Sequence, residues 1–182
     1  FVIDGAGRLA DNLTNDRFDL RQTLLGQFDT PLLSAVPSAP DSYNLQQQRA
    51  ISLLMSPTLR TALDVSLEPA ALREDYGYTL FGQSCLAARR VLEAGGTFVT
   101  VCWDEYGHVN TGWDTHVHQT PRLKDELGPG LDAAFTALLD DLAARGMLDD
   151  TAVVILSEHG RTPRVQNVAG GGRDHWAPAY SA

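Results

Sequence analysis

An α/β fold with a mainly parallel sheet is what the order of elements predicts for this chain. Three observations carry the prediction. Two short, nearly continuous apolar runs, "TFVTVCW" (97–103) and "TAVVIL" (151–156), read as strands buried on both faces. Each follows a stretch of helical periodicity, and each runs straight into a polar, histidine-bearing loop. Helix, strand, loop repeated in this way is the pattern from which parallel sheets are built.

The elements follow in order. "RFDLRQTLLGQF" fits a helix, and "VPSAPDSY" is a turn-rich connector. "YNLQQQRAISLLM" reads as helix. "SPTLRTALDVS" begins another, with Ser56 as N-cap and Pro57 in the first turn, where a missing N–H costs nothing. "EPAALREDYG" is a short helical turn closed by Gly77. In "LFGQSCLAARRVLEAGG", Phe81, Cys85, Ala88 and Leu92 share one face, and Gly95-Gly96 stops the helix. After the first apolar run comes a polar loop, 104–119. A strongly amphipathic helix then carries Leu131, Ala134, Phe135, Leu138, Leu139 and Leu142 at helical spacing, ending at Arg145-Gly146. The second apolar run leads into "SEHGRTP" and the glycine-rich "AGGGRDHW". The expected division is one partial domain over 1–182. Residues 1–80 are mainly helix and connector, and 81–182 form an α/β core bearing the site loops.

Composition narrows the function. The chain has 182 residues, 43 % of them hydrophobic, enough for a sizeable core. Its net charge of −9 argues against a nucleic-acid or anionic-membrane partner. No apolar run approaches the roughly 18 residues of a membrane span. Cys85 and Cys102 read as small buried apolar groups rather than a disulfide or metal pair. The chain opens on "FVIDGAGRL" and ends on "HWAPAYSA", and both ends look cut, as in a piece of a longer protein.

All five histidines lie between His108 and His175. "GWDTHVHQ" supplies Asp114, His116 and His118; "SEHGRTP" supplies Glu158 and His159; "RDHW" supplies Asp174 and His175. In open parallel sheets ligands gather beyond the carboxyl ends of the strands, so these clusters are expected to meet on one rim. Imidazole with carboxylate is the donor set for zinc and similar divalent ions. Each cluster alone is ordinary, and a solvated loop accounts for any one of them. Their recurrence at consecutive strand ends points to a metal site. Arg161 and Arg173, beside the candidate ligands, suit bidentate capture of an anion, with a surface salt bridge as the plain alternative. Arg164 is a weaker candidate. His108 reads as a loop residue, and Trp113 and Trp176 as packing or pocket walls. "GGGRDHW" lacks the Gly-Lys-Ser/Thr ending of a nucleotide cradle; its glycines serve tight turns that deliver His175. "FGQSC" is no nucleophile elbow, because Ser84 sits inside a helical pattern.

"GWDTH", "TAVVILSEHGRTP" and "GGRDHW", in that order, with "FGQSCLAARRVLEAGGTFVTV" upstream, resemble the sulfatase-like family called domain of unknown function 1501. The resemblance covers nearly the whole chain. By similarity the family belongs to the alkaline phosphatase superfamily. It implies an alkaline-phosphatase-like three-layer sandwich and a two-metal site that hydrolyses phosphate or sulfate esters. Carried over, Asp114 and His175 are ligands of one ion. Glu158, standing where the superfamily has Asp, and His159 help hold the other; many family members have Phe at the position of His159. The superfamily spacing selects His118 as a further ligand, whereas the family's own "WDTH" selects His116. Arg161 is expected to steady the anion.

Zinc is the expected ion, with calcium, manganese and magnesium as the other candidates, and a small anionic ester is the expected partner. Family members usually begin with a strand and an Asp-bearing loop near the nucleophile, and residues 1–30 show neither. The implied picture is an internal fragment, inactive alone, of an exported or periplasmic hydrolase. The alternative is a non-catalytic metal- or ligand-binding protein of the same fold.

Overall fold

The computed structural model describes residues 14, 16–17, 19–21, 23–24, 27, 41–103, 112–157 and 160–179, with backbone alone at 41–44 and 54. The chain divides into two compact units, Val2–Asp64 and Val65–Ala182, the latter joined by Phe1.

In the first unit, the described positions from 16 to 27 are helical, and all but Asp16 fall within the segment whose pattern fits a helix. Helix α1 (Asp41–Leu54) takes in the last three residues of the expected connector, and α2 (Pro57–Leu63) follows. Ser56 caps α2: its hydroxyl accepts from the Leu59 N–H at 3.3 Å, with Pro57 in the first turn.

In the second unit, a 3₁₀ turn (Val65–Leu67) and α3 (Ala70–Asp75) lead to α4 (Leu80–Glu93). Thr79 caps α4 by accepting from the Gly82 N–H at 3.0 Å. A four-residue helix α5 (Gln119–Arg122) runs through a π turn (Leu123–Leu127) into α6 (Gly128–Ala144). Gly77, Gly95 and Gly146 close helices with φ of +79°, +98° and +67°, conformations that a β-carbon would strain.

The core lies where α4 packs on α6, and it holds Val65, Tyr76, Cys85, Leu86, Ala87, Ala134 and Ala137. Burying a side chain such as Leu86 contributes about 1.5–3 kcal/mol. The buried face of α4 is rotated from the one expected. Gly82, Gln83, Cys85, Leu86, Ala87 and Arg89 are buried, while Phe81, Ala88 and Leu92 are only partly so. The cause is Arg89, fully buried as the centre of an ion network. Its guanidinium meets Glu68 at 2.8 Å, Glu93 at 2.6 Å and Asp141 at 2.7 Å. Arg90 also pairs with Glu68, and Arg145 meets Asp141 at 2.7 Å and Glu93 at 2.8 Å. The Tyr76 hydroxyl donates to Asp141 at 3.1 Å; burial first, then this carboxylate, pushes its phenol up.

Among the described residues there is no parallel sheet, and the expected α/β three-layer sandwich is overturned. The described residues are mostly helical, 57 % helix against 3 % strand. Its sheet is one antiparallel pair, β1 (Gly160–Arg161) with β2 (His175–Trp176). Residues 97–103 and 151–156 carry the apolar runs but form no strand ladder among the described residues. A strand exists only when a second segment supplies its hydrogen bonds. Here Phe98 is 87 % exposed and Leu156 69 % exposed instead of buried on both faces. Cys102, expected to be buried, is exposed for the same reason; Cys85 is buried, and both thiols are free. Among the described residues no helix is long and apolar enough to cross a membrane.

Candidate metal centre

The site is made by a hairpin laid against a loop. Pairing of Arg161 with His175 across β1 and β2 starts the hairpin. Thr162 N–H to Asp174 O at 2.9 Å and Gln166 N–H to Gly172 O at 2.9 Å extend it. The glycine-rich turn then docks on residues 115–120 through backbone alone. His118 N–H reaches Ala169 O at 2.9 Å, Gln119 N–H reaches Gly171 O at 3.1 Å, and Arg173 N–H reaches Thr115 O at 3.4 Å. This docking requires glycine. Gly170 and Gly171 have φ of +68° and +71°, and a β-carbon on Gly172 would stand 1.8 Å from the His116 carbonyl oxygen. The turn therefore does deliver His175, as its glycines suggested.

Aromatic packing anchors the loop to the helices. Phe81 of α4 stacks on Trp103 with centroids 4.3 Å apart, and Trp103 meets Trp113 edge-on at 5.4 Å. Trp113 precedes Asp114, and Thr115 is buried between Asp114 and His116. Trp176 is 39 % exposed.

Asp114, His116 and His175 come together. Asp114 Oδ1 lies 2.9 Å from His116 Nε2 and 2.9 Å from His175 Nε2, and the two ring nitrogens are 3.2 Å apart. Asp114 Oδ1 accepts from Arg161, whose guanidinium also lies 3.5 Å from His116 Nε2, and with both Nε2 atoms free of protons the three atoms would turn lone pairs toward one point that a divalent ion can occupy. Around a tetrahedral ion with bonds of about 2.0–2.1 Å, neighbouring donors stand about 3.3–3.4 Å apart, so the observed triangle needs to open only slightly. The donor set fits zinc or a similar ion. All three side chains keep solvent access, at 38 % for Asp114, 30 % for His116 and 48 % for His175, which leaves a face open to a small ligand.

Arg161 donates to Asp114 Oδ1 at 2.9 Å and to the carbonyls of Trp113 at 3.0 Å and Arg173 at 3.3 Å. The hydrogen bond from His175, reinforced by Arg161, outweighs partial burial and holds the Asp114 carboxyl well below the usual range. Arg173 donates to the Thr162 carbonyl at 3.2 Å, within the hairpin. Arg164 is exposed.

His118 is not in the three-residue cluster. It takes a left-handed conformation, φ +51°, at the start of α5 and packs on Gly170. Glu158 and His159, the candidate ligands of a second ion, lie outside the described residues, as does His108. Two supporting contacts were not foreseen from the sequence. Asp174, weighed there as a ligand, instead contacts His116 Nδ1 at 3.1 Å. Gln166 donates to the other Asp174 oxygen. Adjacency of Asp174 to His175 was the signal for the first; nothing in the sequence marks the second.

Neither a curated protein nor a solved structure matches the chain. A family model described as "Protein of unknown function (DUF1501)" matches residues 6–182. That match takes in every residue of the cluster and both arms of the hairpin, and the chain belongs to the DUF1501 family.

Proposed function

We propose that this protein binds a divalent metal ion, zinc first among the candidates, through Asp114, His116 and His175, and uses it in hydrolysis of phosphate or sulfate esters. The single observation that carries the proposal is the donor triangle of 2.9, 2.9 and 3.2 Å. The sulfatase-like kinship suggested by "GWDTH" and "GGRDHW" enters for its chemistry, since the fold it implies is not the one described.

A divalent ion held there supplies Lewis acidity to an ester oxygen and lowers the pKa of an attacking group. The chain's residues do the rest. Asp114 contributes negative charge. His116 and His175 contribute neutral nitrogens, and their partial exposure keeps the open face accessible. Arg161 presents a guanidinium at the edge of the triangle, placed to take an anionic oxygen once it is released from Asp114. Glu158 and His159 remain the candidate ligands of a second ion. Backbone pairing of 160–162 and 166 with 172–176, and of the glycine turn with 115–120, brings the donors together, so the arrangement rests on main-chain geometry rather than on long side chains.

Calorimetric zinc titration is the test of binding. One equivalent is expected for the chain, and none for His175→Ala. Hydrolysis is tested with aryl phosphate and aryl sulfate on the complete gene product. Zinc-dependent turnover that disappears in His175→Ala is expected. Zinc binding without turnover of either ester would overturn the hydrolase role and leave a binding protein.

A further inference from the structure

We infer that Asp174 is a positioning residue for the metal ligand His116, holding its ring by Nδ1 so that Nε2 faces the ion, with Gln166 fixing Asp174 in turn. The inference rests on the metal-binding proposal above and deepens it. A carboxylate only accepts hydrogen bonds. The 3.1 Å contact from His116 Nδ1 to Asp174 Oδ1 therefore places a proton on Nδ1. The neutral ring then has its lone pair on Nε2, the atom that faces Asp114 Oδ1 and His175 Nε2. Gln166 Nε2 donates to Asp174 Oδ2, so both carboxylate oxygens are engaged and the carboxylate plane is fixed.

The placement has a simple backbone origin. Asp174 and His175 are consecutive at the edge of β2, and together they span the His116 ring. One meets Nδ1 and the other approaches Nε2. The rings of His116 and His175 sit 4.8 Å apart, tilted by 42°. Asp174 is exposed, so stability of the fold gives no reason for a hydrogen-bonded carboxylate here. Orientation of a ligand does: an outer carboxylate fixes both the tautomer and the ring direction of a ligating histidine.

The experiment measures zinc affinity of the full chain by chelator competition in four forms: wild type, Asp174→Ala, Asp174→Asn and Asp132→Ala. Asp132, an exposed acid on α6, controls for the loss of one negative charge. Asp174→Ala is expected to weaken zinc binding about 10–100-fold. Asp174→Asn keeps an accepting oxygen for Nδ1–H, with Gln166 turned to present its own oxygen, and is expected within about threefold of wild type. Asp132→Ala is expected to match wild type.

Two-bond proton–nitrogen correlation on the zinc-loaded wild type adds a readout that needs no variant. His116 is expected to carry its proton on Nδ1. A proton on Nε2 would overturn the inference even if Asp174→Ala failed to fold. Equal losses in Asp174→Ala and Asp174→Asn would overturn positioning in favour of charge attraction. Unchanged affinity in Asp174→Ala would overturn it while leaving the metal site standing. A wild type that binds no zinc would overturn both.

Discussion

At the scale of single residues, Asp114 Oδ1 is the atom on which the site turns, because His116, His175 and Arg161 all approach it at 2.9 Å. Asp114→Asn is expected to weaken zinc binding by at least about tenfold, since a neutral amide oxygen replaces the one anionic ligand. Arg161 acts in the opposite direction. Its guanidinium puts a positive charge on the same oxygen and competes with an incoming ion. Arg161→Met is expected to tighten zinc binding by roughly tenfold, an estimate discounted for the partial exposure of the cluster. The same variant is expected to lose phosphate or sulfate as a competitive ligand. Parallel zinc and phosphate titrations check both effects, and a weaker zinc site in Arg161→Met would show that the guanidinium supports the site rather than opposing the ion.

At the scale of elements, the glycine turn and the two long helices have separate tasks. Gly172→Ala places a β-carbon 1.8 Å from the His116 carbonyl, and only backbone movement can relieve that contact. The hairpin is expected to shift off residues 115–120 and carry His175 away from Asp114. Zinc affinity should fall by more than about tenfold while the helical circular dichroism stays unchanged, because α4 and α6 do not use this contact. The helices depend instead on Arg89. With its guanidinium fully buried among Glu68, Glu93 and Asp141, Arg89→Ala leaves uncompensated charge and is expected to cost about 3–5 kcal/mol in urea unfolding.

At the scale of the whole molecule, the same network makes stability depend on pH. Burial pushes the Glu68 carboxyl up, but hydrogen bonds and charges from Arg89 and Arg90 outweigh it and bring it below its ordinary value. A carboxyl depressed in the folded state contributes stability that is present above its unfolded pKa, about 4.3, and lost as pH falls through the folded value. Wild type is therefore expected to be more stable than Glu68→Gln near pH 7, with the gap closing as pH falls from the unfolded value through the lower folded one. Urea midpoints measured across that range check it. A gap that persists in acid would show that the amide itself disrupts packing.

The sequence by itself determined the helices and the candidate donors. Helical hydrogen bonds run between residues four apart, so periodicity, the caps at Ser56 and the stop glycines 77, 95 and 146 were readable locally. The candidate donors, with His116 and His118 both open, and the tight turn before His175 were readable as well, because each depends on residue type. Arg89 was not readable as core: a charged side chain is buried only when partners from distant positions surround it, here Glu68 and Asp141. Only the tertiary structure shows that His116, and not His118, stands beside Asp114 and His175, because that depends on which histidine the hairpin places opposite His175. It also overturned the parallel sheet. The runs at 97–103 and 151–156 have strand composition, but β composition describes a surface that packs well, and the ladder itself must come from a second segment. Among the described residues the pairing that does form joins Gly160 with Trp176 and Arg161 with His175; of these four only Trp176 has strand character, and this pairing builds the candidate site.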